Sequence, residues 1–171
     1  MTSQPGYILQ THRLQLRQFN VDDWEFIIRL LNSDGWLKYI GDRNVKTKEQ
    51  AENYLKKGPL KNYEQNGFGL SMVETRNGKP VGMCGLIKRD YLEHPDIGFA
   101  LLTEYSSMGY GFEIASALLV HARNDLSMTT ILAITVPNNV KSIGLLEKMG
   151  LRFVKSFRTE PDAEELMLYS T

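Results

Sequence analysis

The chain has 171 residues, of which 42% are hydrophobic and 23% are charged, a composition typical of one globular domain. Twenty basic and 20 acidic residues give a formal net charge of zero, and no basic tract indicates a nucleic-acid partner. The single cysteine excludes an internal disulfide framework, and no apolar run approaches the roughly 20 residues that span a bilayer.

The first residues carry no targeting pattern, because they lack the basic-then-apolar order of a signal peptide. We therefore expect a loose N-terminus over residues 1–8, one domain over residues 9–171 and a cytoplasmic location. Cys84 lies in the apolar run 81–86 and is interpreted as a buried strand residue rather than a nucleophile.

The N-terminal third predicts a strand followed by two helices. Residues 13–17 alternate polar and apolar, which favours a half-buried strand. Asn20 predicts the start of the first helix, which we expect to end at residues 33–35. Thr47 opens the second helix as part of a capping box, and the Gly-Pro pair at residues 58–59 is expected to stop it.

The rest of the chain begins with a hairpin, since Asn77-Gly78 is the strongest short hairpin signal. The further predicted strands are 68–75, 80–88, 96–102, 130–136, 151–157 and 164–169, and the further helices are 110–124 and 140–149. The order β, α, α, β, β, β, α, β, α, β, β predicts an α/β fold, with a mostly antiparallel sheet of about seven strands and helices on both faces.

A glycine-rich turn between a strand and a helix is the clearest functional signal. Gly109 and Gly111 stand where a backbone could approach a phosphate, and the helix that follows offers free N–H groups to an anion. A simple turn remains the alternative. Ile114 occupies the position of the third glycine of a dinucleotide fingerprint, and no Lys-Ser or Lys-Thr follows as in a P-loop.

A second cluster surrounds the start of the predicted helix 140–149. Asn139 precedes this helix, and Ser142 places a hydroxyl in its first turn. By themselves these two residues fit a helix cap and a solvated serine.

Together the two clusters resemble the GNAT superfamily of acyl-CoA-dependent N-acetyltransferases. The superfamily motif Q/R-x-x-G-x-G/A corresponds to residues 106–111, and the later N-x-x-S and L-x-K-x-G-F motifs correspond to residues 139–142 and 146–151. The opening residues 11–17, Thr-His-Arg-Leu-Gln-Leu-Arg, resemble the branch of ribosomal-protein N-terminal acetyltransferases. This resemblance covers residues 10–169 and implies a GNAT-like fold with splayed central strands.

The resemblance implies acetyl-CoA as the cofactor and assigns residues to it. The expected contacts are the strand residues Phe99, Ala100 and Leu101, the loop amides of Met108, Gly109, Tyr110, Gly111 and Phe112, and the helix residues Asn139 and Ser142. Ser106 replaces the usual Gln or Arg of the loop, which removes a side-chain contact to the pyrophosphate. A leucine, Leu145 or Leu146, stands where many relatives carry a tyrosine that protonates the leaving thiolate.

Two residues are catalytic candidates by the same resemblance. Ser142 would donate a hydrogen bond to the leaving thiolate, and Asp96 would serve as general base, as a glutamate does in the histone-acetyltransferase branch. A solvated serine and a strand-end carboxylate in solvent are the respective alternatives.

The implied reaction is direct transfer of acetyl to a primary amine, either on a small molecule or at a protein N-terminus. We expect no metal, nucleic-acid or membrane partner and a monomer or homodimer. Acceptor specificity is expected from the first two helices and the loops 90–95 and 157–163. A catalytically inactive acyl-CoA-binding module and an unrelated nucleotide-binding α/β protein are the alternatives.

Overall fold

The computed structural model describes residues 6–171, which form one open sheet of eight strands with helices on both faces. The strand order is β1-β2-β3-β4-β5-β6-β8-β7, and every neighbouring pair is antiparallel except β5 and β6. The strands are β1 (Leu9–Gln10), β2 (Leu14–Arg17), β3 (Leu70–Thr75), β4 (Pro80–Ile87), β5 (Asp96–Leu101), β6 (Leu132–Thr135), β7 (Arg152–Phe157) and β8 (Leu166–Ser170).

Within residues 6–171, six α-helices form the outer layers, and two hydrophobic clusters hold most of them on the sheet. The helices are α1 (Trp24–Leu31), α2 (Asp34–Tyr39), α3 (Lys48–Leu55), α4 (Lys61–Asn66), α5 (Tyr110–Asn124) and α6 (Val140–Lys148). Helices α5 and α6 bury their apolar faces in one cluster, and α1 to α3 bury theirs in another. The predicted α/β architecture with a mostly antiparallel sheet is confirmed.

Local sequence signals predicted several boundaries correctly. Asn20 and Thr47 each form a capping box at a helix start. Asn77 and Gly78 turn the chain between β3 and β4, and Gly78 has the left-handed φ of +85° that such a turn requires. Gly150 closes α6 with a φ of +92°.

Two short elements were missed and one local prediction was wrong. A two-residue strand, β1, adds an eighth strand at the edge of the sheet. The first helix ends at Leu31, just before the expected stop at residues 33–35, but Asp34 then begins α2, and the burial of Trp36 holds that helix on the core. Gly58-Pro59 does not stop the second helix, because a π-helical turn over Lys56–Leu60 carries the chain from α3 into α4. A widened turn tolerates the missing proline N–H that an α-helix would need.

The structure also places part of the N-terminus and Cys84. Residues 1–5 of the expected loose N-terminus lie outside the described residues, whereas Ile8 donates its N–H to Leu16 O at 2.7 Å. Cys84 is fully buried in β4, and burial raises the pKa of its thiol to about 12. Its thiolate is therefore not available at neutral pH, as the interpretation of a structural cysteine requires.

Candidate active site

A gap opens in the middle of the sheet where the two parallel strands separate. Strands β5 and β6 are paired only at Asp96 and Leu132. From there to Leu101 and Thr135 they share no further pairing, although β5 stays fully paired to β4 and β6 to β8. The splayed central strands predicted from the sequence are therefore present.

Alternate backbone groups of β5 point into this gap. The N–H of Leu102, just after the strand, bonds a carbonyl of β4 at 2.9 Å, whereas the carbonyl of Pro95 accepts from β6 at 2.9 Å. Because backbone groups alternate along a strand, those of Phe99 and Leu101 face the gap. The backbone groups of Ala100, which the sequence prediction grouped with them, face β4 and pair within the sheet.

The glycine turn lies at one end of the gap and leads directly into α5. Gly109 occupies the N-cap position with a φ of +80° and offers no capping side chain. The first intrahelical bond runs from Glu113 N–H to Gly109 O at 3.1 Å. The N–H groups of Tyr110, Gly111 and Phe112 therefore have no partner in the helix, and they sit at its positive end.

Gly111 leaves room between this helix start and its neighbours. A Cβ at Gly111 would lie 3.0 Å from Leu145 Cδ1 of α6 and 3.8 Å from Leu101 Cδ1 of β5. The missing side chain thus keeps open the space where β5, α5 and α6 meet. Ser106 contributes nothing to this space, because its hydroxyl donates back to Thr103 O at 2.7 Å.

An ion pair anchors the glycine turn from the opposite end of the chain. Glu113 accepts from Thr11 Oγ1 at 2.7 Å, from Arg13 N at 2.8 Å and from Arg13 Nε at 2.6 Å. The same guanidinium donates through Nη1 to Met108 O at 2.9 Å and lies 4.7 Å from the centre of the Tyr110 ring. These contacts lower the pKa of Glu113, although its partial burial opposes them.

Sequence reasoning used Arg13 only as a motif residue and missed its position beside the glycine turn. The motif at residues 11–17 contains Arg13, but its partner Glu113 lies 100 residues further along the chain. The second arginine of the pattern has a different place: Arg17 binds Asp23 at 2.9 Å and Glu74 at 2.7 Å, which ties β2 to the entry of α1 and to β3.

The second predicted cluster lies at the start of α6, the helix whose Leu145 contacts the start of α5. Asn139 caps this helix by accepting from Ser142 N–H at 3.2 Å. The Ser142 hydroxyl has no hydrogen-bond partner among residues 6–171, and Leu145 lies three residues further on the same helix face.

Leu146 is buried in the core, so Leu145 is the leucine that borders the gap. Lys141 Nζ lies 3.4 Å from Ser107 Oγ and brings a positive charge to the glycine turn.

Asp96 occupies the point where β5 and β6 part. Its side chain is only 1% exposed, so the alternative of a strand-end carboxylate in solvent is wrong. Arg89 Nε donates to Asp96 Oδ1 at 2.9 Å. Burial raises the pKa of Asp96 above its ordinary value of 3.8, and the charge of Arg89 opposes that shift. A buried carboxyl of this kind can exchange a proton nearer to neutral pH.

Two absences apply to residues 6–171. No three His, Cys, Asp or Glu side chains gather there as a metal site. None of the helices in this part of the chain is long and apolar enough to cross a membrane.

Comparison with known families identifies the family of this chain. Residues 13–152 match the model of the acetyltransferase (GNAT) domain, which covers the gap, the glycine turn and α6. The chain belongs to the GNAT acetyltransferase family. It is 27% identical over 145 residues to YnaD of Bacillus subtilis, described as an uncharacterized N-acetyltransferase, which spans 84% of this chain and 82% of the relative.

Solved GNAT structures share the fold. A GNAT-family acetyltransferase from Bacillus anthracis superposes with a TM-score of 0.79 at 24% identity, over 96% of this chain and 97% of that one. RimL, a ribosomal alpha-N-protein acetyltransferase solved with coenzyme A, superposes with a TM-score of 0.81 at 15% identity, over 96% and 97%. As a member of the GNAT acetyltransferase family the protein is an N-acetyltransferase, and acetyl-CoA is its cofactor.

The residues at the gap fit a cofactor with a diphosphate and an amide-containing arm. The unpartnered first-turn amides of α5 suit a diphosphate, and the cations Arg13 and Lys141 stand beside them. The free backbone groups of Phe99 and Leu101 suit amides, because they offer the donors and acceptors of an unpaired strand edge.

Proposed function

We propose that this GNAT enzyme transfers acetyl to a primary amine, and that the amine attacks the thioester directly in the gap between β5 and β6. The observation that carries this proposal is the meeting of two features at one gap, the free edge of β5 and the uncapped start of α5. The unpartnered hydroxyl of Ser142 lies one helical turn before Leu145, the leucine that borders this gap. Bound acetyl-CoA supplies the acetyl group in activated form.

The chain's own residues would divide the work as follows. The amides of Tyr110, Gly111 and Phe112 bind the diphosphate, and the backbone of Phe99 and Leu101 holds the pantetheine arm. These contacts orient the reacting end, which lowers the entropic part of the barrier. Asn139 would act indirectly: its side chain accepts from Ser142 N–H and so holds the start of α6, which carries the Ser142 hydroxyl.

Two side chains would handle protons. Asp96 takes a proton from the attacking amine, and its raised pKa suits a base better than that of a solvated carboxylate. Ser142 donates a hydrogen bond to the leaving sulfur, since Leu145 at the border of the gap has no donor.

The function is tested with a panel of amines that contains small primary amines and short peptides with free N-termini. Each is incubated with the protein and acetyl-CoA, and mass spectrometry records the product. We expect a gain of one acetyl group on the primary amine of the preferred acceptor, together with release of one free thiol per acetyl. Tight CoA binding without thiol release for any amine would leave only an acyl-CoA-binding module.

Arg13 binds Glu113 and Met108 O and so clamps the glycine turn, and this clamp gives a second testable prediction. Arg13→Gln removes the donor to Met108 O and one charge beside the α5 amides, so we expect the Kd for CoA to rise about 10-fold. Isothermal titration calorimetry measures it. Arg76→Gln is the matched control, because Arg76 bonds Thr11 O at 3.1 Å but does not touch the turn. An equal Kd for Arg13→Gln and Arg76→Gln would show that the clamp does not contribute to binding.

A further inference from the structure

A cavity lies on the face of the sheet opposite α5 and α6. Its volume is about 480 Å³, and its floor includes Leu70 of β3 and Ile87 of β4. A Cβ at Gly98 of β5 would lie 3.2 Å from Ile87 Cδ1 and 3.7 Å from Leu70 Cδ2. Ile87 is also the direct partner of Asp96 in the β4–β5 pairing. The cavity therefore adjoins the strand that borders the gap, beside the proposed base.

The walls of this cavity carry positive charge without a matching negative one. Arg43 and Lys57 line it, and none of the lining residues is an Asp or Glu. Neither cation makes an ion pair within residues 6–171, although neighbouring lysines such as Lys46 and Lys48 do. Unpaired cations that converge on one cavity attract an anionic group and repel a second cation.

A phenol adds a neutral donor to the same cavity. Tyr54 of α3 lines it, and its hydroxyl has no hydrogen-bond partner among residues 6–171. Burial raises the pKa of this phenol while the nearby charge of Arg43 opposes the rise, so the hydroxyl stays protonated. Amide side chains, among them Asn53 and Asn62, complete the polar lining. A guanidinium, an ammonium and a hydroxyl together form a donor set suited to a carboxylate.

We propose that this cavity binds a carboxylate of the acceptor, so that the preferred substrates are primary amines that also carry a carboxylate near the amine. Examples of the class are acidic amino acids and peptides with Asp or Glu next to a free N-terminus. The assignment rests on the proposed function, because it names the acceptor for the same reaction. A polyamine is excluded by the same charges, since a second ammonium would face Arg43 and Lys57.

Matched peptides test this assignment. Three peptides that differ only at the second residue, which is Glu, Gln or Lys, serve as acceptors with saturating acetyl-CoA. We expect kcat/KM to fall about 10-fold from Glu to Gln and further for Lys, because each step removes attraction or adds repulsion. An order in which Lys is equal to or better than Glu overturns the proposal.

Substitutions in the cavity test whether Arg43 and Lys57 cause the preference for the Glu peptide. The double variant Arg43→Gln/Lys57→Gln should remove the preference, so that kcat/KM for the Glu peptide falls about 10-fold relative to kcat/KM for the Gln peptide. Lys56→Gln is the control, because Lys56 is an exposed neighbour of Lys57 that does not line the cavity. A preference that survives in the double variant overturns the proposal.

Binding distinguishes failure of this inference from failure of the proposed function. If no peptide is acetylated, calorimetry of the Glu and Gln peptides with the CoA-loaded protein still reports the carboxylate site. Tighter binding of the Glu peptide that depends on Arg43 and Lys57 supports the cavity even when the reaction fails. Equal binding of both peptides overturns it.

Discussion

Gly111→Val should raise the Kd for CoA by about 100-fold or more, because two charge-assisted contacts of roughly 1.5 kcal/mol each would be lost. The new side chain would start 3.0 Å from Leu145 Cδ1 and 3.8 Å from Leu101 Cδ1, in the space where β5, α5 and α6 meet. It would also cover the amides at the start of α5. Calorimetric titration with CoA measures the loss, and circular dichroism checks that the fold is kept.

A matched control separates this effect from simple strain in a helix. Gly144→Val makes the same change on α6, at a site where a Cβ would meet nothing within 4 Å, and should leave the Kd unchanged. The double variant Gly111→Val/Leu145→Ala relieves the close contact with α6 and should still bind CoA poorly. Recovery of binding in the double variant would show that a displaced α6, and not a blocked turn, caused the loss.

Asp96→Asn should lower kcat/KM by about 100-fold or more, the usual contribution of a general base, without changing the Kd for CoA. The carboxyl is buried beside Arg89, and asparagine keeps its shape but cannot take a proton. Asp90→Asn is the control, because Asp90 is an exposed acid close by in the chain. Loss of stability with a normal rate would assign Asp96 a structural role only.

The dependence of kcat/KM on pH also tests whether Asp96 is the general base. As a general base Asp96 would act in its deprotonated form, so kcat/KM should rise with pH through a folded-state pKa that burial places above 3.8. That acid limb should disappear in Asp96→Asn. Ser142→Ala should instead lower kcat and keep the acid limb, since Ser142 does not titrate in this range.

The same pKa has a consequence for stability. Because the folded-state pKa of Asp96 lies above the unfolded value, the folded protein binds more protons in that window. The contribution of Asp96 to the free energy of unfolding should therefore fall as pH rises from about 3.9 through the folded-state pKa, whereas the lowered pKa of Glu113 acts in the opposite direction. The difference in unfolding free energy between the native sequence and Asp96→Asn, measured by thermal unfolding at several pH values, should therefore decline over this range.

Features that depend on a few neighbouring residues were determined by the sequence itself. The limits of α5, the Asn77-Gly78 hairpin and the caps at Asn20, Thr47 and Asn139 agree with the structure. Each rests on chemistry within one turn: a capping side chain, a glycine with positive φ, or an apolar period. The GNAT resemblance was carried by such local motifs, which is why the family model confirms it.

Local rules failed where packing outweighed them. The Gly-Pro pair at residues 58–59 normally ends a helix, but Pro59 is buried and the chain widens into a π-helical turn around it. Helix α2 begins at Asp34, inside the segment that was expected only to end the first helix, and the burial of Trp36 in the second cluster stabilises it. Burial energy of this kind depends on residues far away in sequence.

Only the tertiary structure decided how the site is arranged. The gap exists because β5 and β6 pair at Asp96 and Leu132 alone. The glycine turn is held by Arg13 from 95 residues away, and Asp96 is buried against Arg89 and not solvated. Strand register, burial and long-range ion pairs arise from the meeting of distant segments, so no window of the sequence contains them. Local chemistry therefore determined which residues could bind the cofactor, and packing determined where they meet.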